Sequence, residues 1–310
     1  MRKSWSEVVS LGIVHPMIYP ETLRGEGPIL ETLSKIVADD SFGAIEVSWI
    51  KDIEIRTKVA SILDSAYMDV VYCAGPPILM QKLDLNSFDE KTRMKAIEGV
   101  KSLVDEAYML GAKIMAIASG PDVEARKRSE ARNLLQDSLK KICEYARENA
   151  KDYILMISLE NFDRDYDKKL LVGPTAEAAD VVKSVREEYE NIGLTVDLSH
   201  LPLLHETPKQ SLTAAAKYLE HVHVGNCILK DKNHPQYGDQ HPRLGIKGGE
   251  NSVKELIEFL KILKEIGYFD KKAVTKRPVI SFEVKPSSGE SSEAIIAGSK
   301  RMFAEAWSKI

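Results

Sequence analysis

The feature that most constrains this 310-residue chain is an alternation. A short apolar run is followed by a segment with helical spacing, eight times over. The runs are predicted as strands at 8–19, 44–50, 69–75, 113–119, 153–160, 192–196, 221–225 and 278–284. The fifth, ILMISLE, is nearly continuous in its apolar character, which suits a strand covered on both faces, as in a parallel sheet. The intervening helices are predicted at 29–37, 53–67, from Ser87 onward, and at 123–149, 175–189, 208–219, from Ser252 onward, and at 292–308. Ser87 with Glu90 and Ser252 with Glu255 have the spacing of capping boxes, in which side chain and backbone satisfy each other's free donors. Linkers, low-complexity stretches and breaks in composition are absent from the sequence. Eight alternating units predict an α/β fold, a single (β/α)8 TIM barrel domain spanning 1–310. An open doubly wound sheet is the alternative. It more often carries a glycine-rich phosphate turn after its first strand, and this sequence has none.

Composition narrows the class. Charged residues are 29% and hydrophobic residues 44%, so a water-soluble chain with a large core is expected. The net charge of -4 argues against a nucleic-acid surface, which usually carries basic excess. Cys73, Cys143 and Cys227 are too scattered for a disulfide framework or a cysteine zinc site. The basic start Met1-Arg2-Lys3 is not followed by a leader-like apolar run, and no stretch is apolar enough to span a membrane. A cytoplasmic enzyme without membrane or nucleic-acid partners is expected, and a homo-oligomer is compatible with it.

In a barrel the active site lies at the carboxyl ends of the strands. Glu160, Asp197, His223 and Glu283 stand at or just inside the ends of strands five to eight. Adjacent strands are about 4.8 Å apart, so these side chains can converge. Three carboxylates that close together would raise one another's pKa unless a cation joined them. Together with one imidazole they suit one divalent ion per chain: Mn, Mg, Co or Zn. Six of the seven histidines lie between 192 and 249. His221 shares a strand face with His223 and is read as a packed or supporting residue. His200, three residues after Asp197, could orient a ligand or touch substrate. Glu46 and His15, on strands two and one, are further candidates for substrate contact. His205 and His234 are read as loop residues without a role.

These residues carry a resemblance. LEN at 159–161, VDLSH at 196–200, HVHVGN at 221–226, DQH at 239–241 with Gly245 and Gly248 after it, and SFEV at 281–284 resemble the xylose isomerase-like barrel superfamily. That group includes ketose 3-epimerases, inosose dehydratases and the endonuclease IV branch. The resemblance implies that Glu160, Asp197, His223 and Glu283 hold the metal, that Glu160 and Glu283 also form the acid/base pair, and that His200 contacts substrate. The sequence departs from the epimerase pattern after strand seven. Asn226 and Leu229 stand where those enzymes often have Glu and Arg, with Arg243 or Lys230 as the nearest replacements. Asp239 and His241 match the Asp-x-His pair that gives endonuclease IV further ligands. Cys73 and Ser119 stand where that branch has histidines, which disfavours a trinuclear zinc site.

The expected function is therefore a metal-dependent isomerase or epimerase in carbohydrate metabolism, with manganese among the expected metals. It would act on a small keto sugar or polyol through an enediolate. An inosose dehydratase-like lyase is the alternative; a metal phosphodiesterase and a non-catalytic sugar-binding barrel fit less well. The long segment from 229 to 249 lacks periodicity. It is expected to fold over the barrel mouth and to bring Asp239, His241 or Arg243 to the substrate.

Overall fold

The strands bury nearly everything they carry, and that follows from their sequences. In the computed structural model, which describes residues 4–310, every strand residue except Glu220 is buried. The basic start Met1-Arg2-Lys3 lies outside the described residues. The strands are β1 (Ser10–Ile13), β2 (Ala44–Val47), β3 (Asp69–Cys73), β4 (Ile114–Ile117), β5 (Met156–Glu160), β6 (Ile192–Asp197), β7 (Leu219–Gly225) and β8 (Val279–Glu283). They form one parallel sheet in the order β1-β8-β7-β6-β5-β4-β3-β2. Between β1 and β2, Gly43 N donates to Leu11 O at 3.0 Å and Val14 bridges Glu46. The result is a nearly closed (β/α)8 barrel.

The helices between the strands are α1 (Ile29–Val37), α2 (Ile53–Ser65), α3 (Glu90–Met109), α4 (Arg128–Glu148), α5 (Thr175–Arg186), α6 (Pro208–Ala215), α7 (Val253–Glu265) and α8 (Ser292–Trp307). Each turns an apolar stripe onto the outside of the strands. In α7 the stripe includes Leu256, Phe259, Leu260 and Leu263. Its start is the expected capping box: Ser252 and Glu255 exchange side-chain and backbone bonds. The box expected at Ser87 does not form. Asp89 caps α3 instead, accepting from Thr92 N at 2.9 Å, because it lies directly before the first helical residue.

The first strand is shorter than its apolar run. The chain turns into a helical turn at His15–Ile18, with Pro16 in the first turn, where its missing N–H costs nothing. The same chemistry, with Pro76 and Pro77 in the first turn, makes Gly75–Met80 a short helix above β3. Both turns matter below, because they wall the barrel mouth.

Inside the barrel the two-residue period of the strands sorts side chains into layers. Ala44, Val71, Ile114, Met156 and Val279 form an apolar floor separate from the main core. Two residues further along, the inward positions turn polar. Ser158 and Thr195 bond at 2.7 Å, and Glu46 lies in the same register as His221's layer. Another step along the strands gives Glu160, Asp197, His223 and Glu283. The site therefore rests on a filled base with an apolar floor.

Outside the strands, Phe303 of α8 meets Phe282 of β8 edge to face, with centroids 5.9 Å apart, and is 1% exposed. Phe303→Ala removes this ring from a filled layer behind β8. We expect a loss of about 3–5 kcal/mol of stability, measured by urea unfolding. A loss below about 1 kcal/mol would show that α8 is not held by this contact.

Candidate metal centre and active site

One ligand atom each from Glu160, Asp197, His223 and Glu283 lies within 4.8 Å of all the others. Strand register puts them there. Asp197 pairs with His223, Gly225 with Glu283, and Glu160 with Thr195, so four neighbouring strand ends meet on the inner face. His223 is at the centre. Its Nδ1 is 3.2 Å from Glu160 Oε1 and 2.8 Å from Glu283 Oε2. The second distance suits charge attraction, but Glu283 Oε2 has no hydrogen bond and is buried.

Glu46 is fully buried beneath this set. Its Oε1 is 2.6 Å from His221 Nε2, and both of its oxygens are 3.1 Å from His223 Nε2. An N–H donated from Nε2 leaves Nδ1 of His223 as the atom facing the carboxylates. Glu46 is thus placed behind the histidines and away from the cavity, which corrects the expectation that it reaches substrate. Its carboxylate lies one inward step too deep along β2.

A second group adjoins the first. Asp239 Oδ1 is 2.9 Å from His241 Nε2 and 3.4 Å from His200 Nε2, and Lys168 Nζ is 3.0 Å from Asp239 Oδ2. His200 donates from Nδ1 to the Asn161 carbonyl, 2.9 Å away, since a carbonyl oxygen can only accept. Ser199 donates to Asp197 from both its N–H and its hydroxyl. His241 has φ 52°, a region that disfavours side chains, and its carbonyl accepts from Lys285 N at 2.6 Å.

The electrostatics are those of crowded, buried charge. Burial disfavours the His200 imidazolium, yet Asp239 and Asp197 outweigh it and raise the ring to about 10. Burial is likewise outweighed at His241, which Asp239 and Glu283 raise to about 9. His223 is pushed well above its ordinary value against burial, by Glu46 and Glu283. Burial raises Glu160 and Asp197 above their ordinary values, opposed by His223 and by His200 respectively. Glu283 goes the other way: burial is outweighed by His241 and His223, which hold it at about 2. Protons on the histidines thus balance the carboxylates. A divalent cation can take over that balance, since metal binding at such sites displaces protons. The oxygen-rich donor set and the unbonded Glu283 Oε2 fit such an ion.

A cavity of about 220 Å³ opens above the cluster. Glu160, Glu283, Asp239 and His241 line it, while Asp197, His223 and His200 are buried behind them. The segment after β7 therefore does reach the mouth, through Asp239, Gln240 and His241. Arg243 does not. It is ion-paired with Glu290 at 2.7 Å and borders a separate surface hollow. Lys230 pairs with Glu250 on the surface. His15 is also off the cavity wall: it is 3% exposed, with Nε2 2.8 Å from Thr32 Oγ1, and burial lowers it to about 4. Asn226 takes the place of a substrate contact with a structural one. Its Oδ1 accepts from Cys227 N and Asn251 N, and its Nδ2 donates to Arg243 O, which clamps the long segment.

Sequence reasoning missed Lys168, Phe162 and Lys285, all on the cavity wall. Lys285 follows Glu283 by two residues, so strand alternation could have found it. Lys168 sits in a charged loop with no comparable signal.

The family pattern described as xylose isomerase-like TIM barrel matches residues 37–305. No curated protein sequence matches the chain. Among solved structures, a D-tagatose 3-epimerase-like protein is 22% identical, with 96% of this chain and 99% of that one covered and a TM-score of 0.69. The IolI protein, solved with a bound zinc atom, is 17% identical over 97% of this chain and 99% of its own, with a TM-score of 0.72. A D-psicose 3-epimerase from Clostridium cellulolyticum H10, solved with D-tagatose, is 17% identical over 96% of each chain, with a TM-score of 0.63. At these identities the likeness speaks for the fold, and it agrees with the barrel described above.

Gly225 offers a test of how tightly the site is framed. A Cβ there would lie 2.7 Å from the Glu283 carbonyl oxygen and 3.2 Å from His241 Nδ1. The first contact is with backbone, which cannot swing aside. Gly225→Ala is expected to cost about 1–3 kcal/mol of stability by denaturant unfolding. A neutral substitution would show that β7 and β8 tolerate rearrangement around His223 and Glu283.

Proposed function

Because the chain belongs to the xylose isomerase-like TIM barrel family, we propose that it is a single-domain, divalent-metal-dependent epimerase or isomerase of a small keto sugar or polyol. The observation that carries this reading is the convergence of Glu160, Asp197, His223 and Glu283, with both glutamates on the cavity wall. The four residues would hold the ion. When bound, a divalent ion supplies Lewis acidity that stabilises negative charge developing on substrate oxygens.

The protein's own groups do the proton work. Glu160 ends β5 and Glu283 ends β8, so they approach a bound molecule from different strands. One glutamate takes the proton from the carbon beside the carbonyl, which leaves an enediolate. The other returns a proton to the opposite face, and the configuration inverts. Glu46 fixes His223 from behind, and Ser199 fixes Asp197. His241 and Asp239 present a donor and an acceptor to the substrate from the segment after β7. The solved relatives named for D-tagatose, D-psicose and L-ribulose epimerisation supply the first compounds to try.

Two experiments test this reading. Purified protein is expected to hold about one divalent ion per chain, read by mass spectrometry of metals, and Asp197→Ala and His223→Ala are expected to lose it. Glu46→Gln should keep the fold but weaken metal binding roughly 10- to 100-fold, because it alters the group that orients a ligand histidine. Full occupancy in both alanine variants would sink the assignment.

The second experiment follows solvent deuterium into ketoses and inososes by NMR. With metal content matched, Glu160→Gln and Glu283→Gln should each lower turnover by at least about 100-fold. One variant should still exchange the proton of one epimer, and the other variant that of the opposite epimer. Exchange that survives in the double variant excludes this glutamate pair. A conjugated enone product, seen by its absorbance, would point instead to the dehydratase-type lyase.

A further inference from the structure

The cavity wall is divided by chain segment. The carboxylates and histidine on it come from the ends of β5 and β8, through Glu160 and Glu283, and from the segment after β7, through Asp239 and His241. The facing half comes from the segments after β1 and β3, and it is built from Pro16, Met17, Leu23, Pro76, Leu79 and Met80. None of these six side chains is a strong hydrogen-bond donor or acceptor. Two polar side chains elsewhere on the wall are already engaged. Lys168 Nζ bonds the Asp239 carbonyl at 2.8 Å, and Gln240 Nε2 bonds Asp167 Oδ2 at 2.7 Å. Besides His241, Lys285 Nζ is the side-chain donor left on this wall among the described residues.

A fully hydroxylated ketohexose carries hydroxyls all around its carbon chain. Set into this cavity, those facing the apolar half would lose water and gain no side-chain partner. Each such hydroxyl lowers affinity roughly tenfold or more. Each methylene placed there instead raises affinity about fourfold. The two halves therefore select for a molecule that is oxygen-rich at one end and hydrocarbon-like at the other.

Building on the function proposed above, we propose that the substrate is a keto sugar whose non-reacting half is deoxygenated, O-alkylated or linked to an apolar group. Its hydroxy-ketone end meets Glu160 and Glu283, and its apolar half packs on Met17, Leu23, Leu79 and Met80. The short helices that carry this wall, His15–Ile18 and Gly75–Met80, are additions to the plain strand–helix repeat. They make the substrate preference a property of two loops, separable from the chemistry of the strand ends.

Hydroxamates test this on the manganese-loaded 310-residue protein, because they chelate a divalent ion through two adjacent oxygens whatever tail they carry. Binding of acetohydroxamate, hexanohydroxamate and the polyhydroxylated ribonohydroxamate is measured by calorimetry. Hexanohydroxamate, with four more methylenes, is expected to bind roughly 250-fold more tightly than acetohydroxamate, following the methylene increment. It should also bind more tightly than ribonohydroxamate by at least about tenfold. Leu79→Asn should cut the ratio of hexano- to acetohydroxamate affinity by roughly tenfold. Metal-dependent acetohydroxamate binding with no gain from the longer tail, or with ribonohydroxamate the tightest, overturns this inference and leaves the proposed function standing. Absence of metal-dependent acetohydroxamate binding overturns both.

Discussion

Buried negative charge is the constraint on which this barrel's mouth depends. Glu46, Glu160, Asp197, Asp239 and Glu283 are all 8% exposed or less, within one connected set of side chains. Carboxylates taken out of water are unfavourable unless positive charge and hydrogen bonds surround them. The structure answers with His200, His223, His241 and Lys168, each within 4 Å of at least one of those carboxylates. The same arrangement suits a divalent ion, because an ion can replace protons as the balancing charge.

That cluster needs a rigid frame, and the layering of the barrel supplies one. The apolar floor of Ala44, Val71, Ile114, Met156 and Val279 blocks water from below. The Ser158–Thr195 bond and the Glu46–His221 contact fill the next level. Above them Glu160, Asp197, His223 and Glu283 have little freedom, since their strands are paired on both sides and their inward direction is fixed by a period of two. The long segment after β7 is held by Asn226 and Asn251. Asn251 Nδ2 donates to both Leu198 O and Gly225 O. This ties Asp239 and His241 to the same rigid base as the four strand-end residues.

Much of this was legible in the sequence, for a physical reason. Eight apolar runs and eight helical patterns leave few alternatives to a barrel, and in a barrel the strand ends point to one place. Glu160, Asp197, His223 and Glu283 could be read as a group because each stands at or just inside the carboxyl end of its strand, on the inward face. Glu46 shows where that logic stops. Its face was readable, but its depth was not, because depth depends on strand stagger. Arg243 and His15 show a different limit. Arg243 is drawn away by Glu290, and His15 is turned onto Thr32 by a helical turn that follows β1 directly. Both depend on contacts distant in sequence. The apolar half of the cavity was hidden for a third reason. Met17, Leu79 and Met80 look like ordinary core residues until the short helices that carry them are placed over the mouth.

The central claim is that His223 and the three carboxylates at the ends of β5, β6 and β8 share one ion. Electron–nuclear resonance on manganese-loaded protein reads this directly, because a coordinated imidazole nitrogen couples to the manganese electron spin. The account predicts coupling to one histidine nitrogen, which persists in His200→Gln and His241→Gln and vanishes in His223→Gln. Bound manganese without nitrogen coupling, or coupling that survives loss of His223, would contradict it.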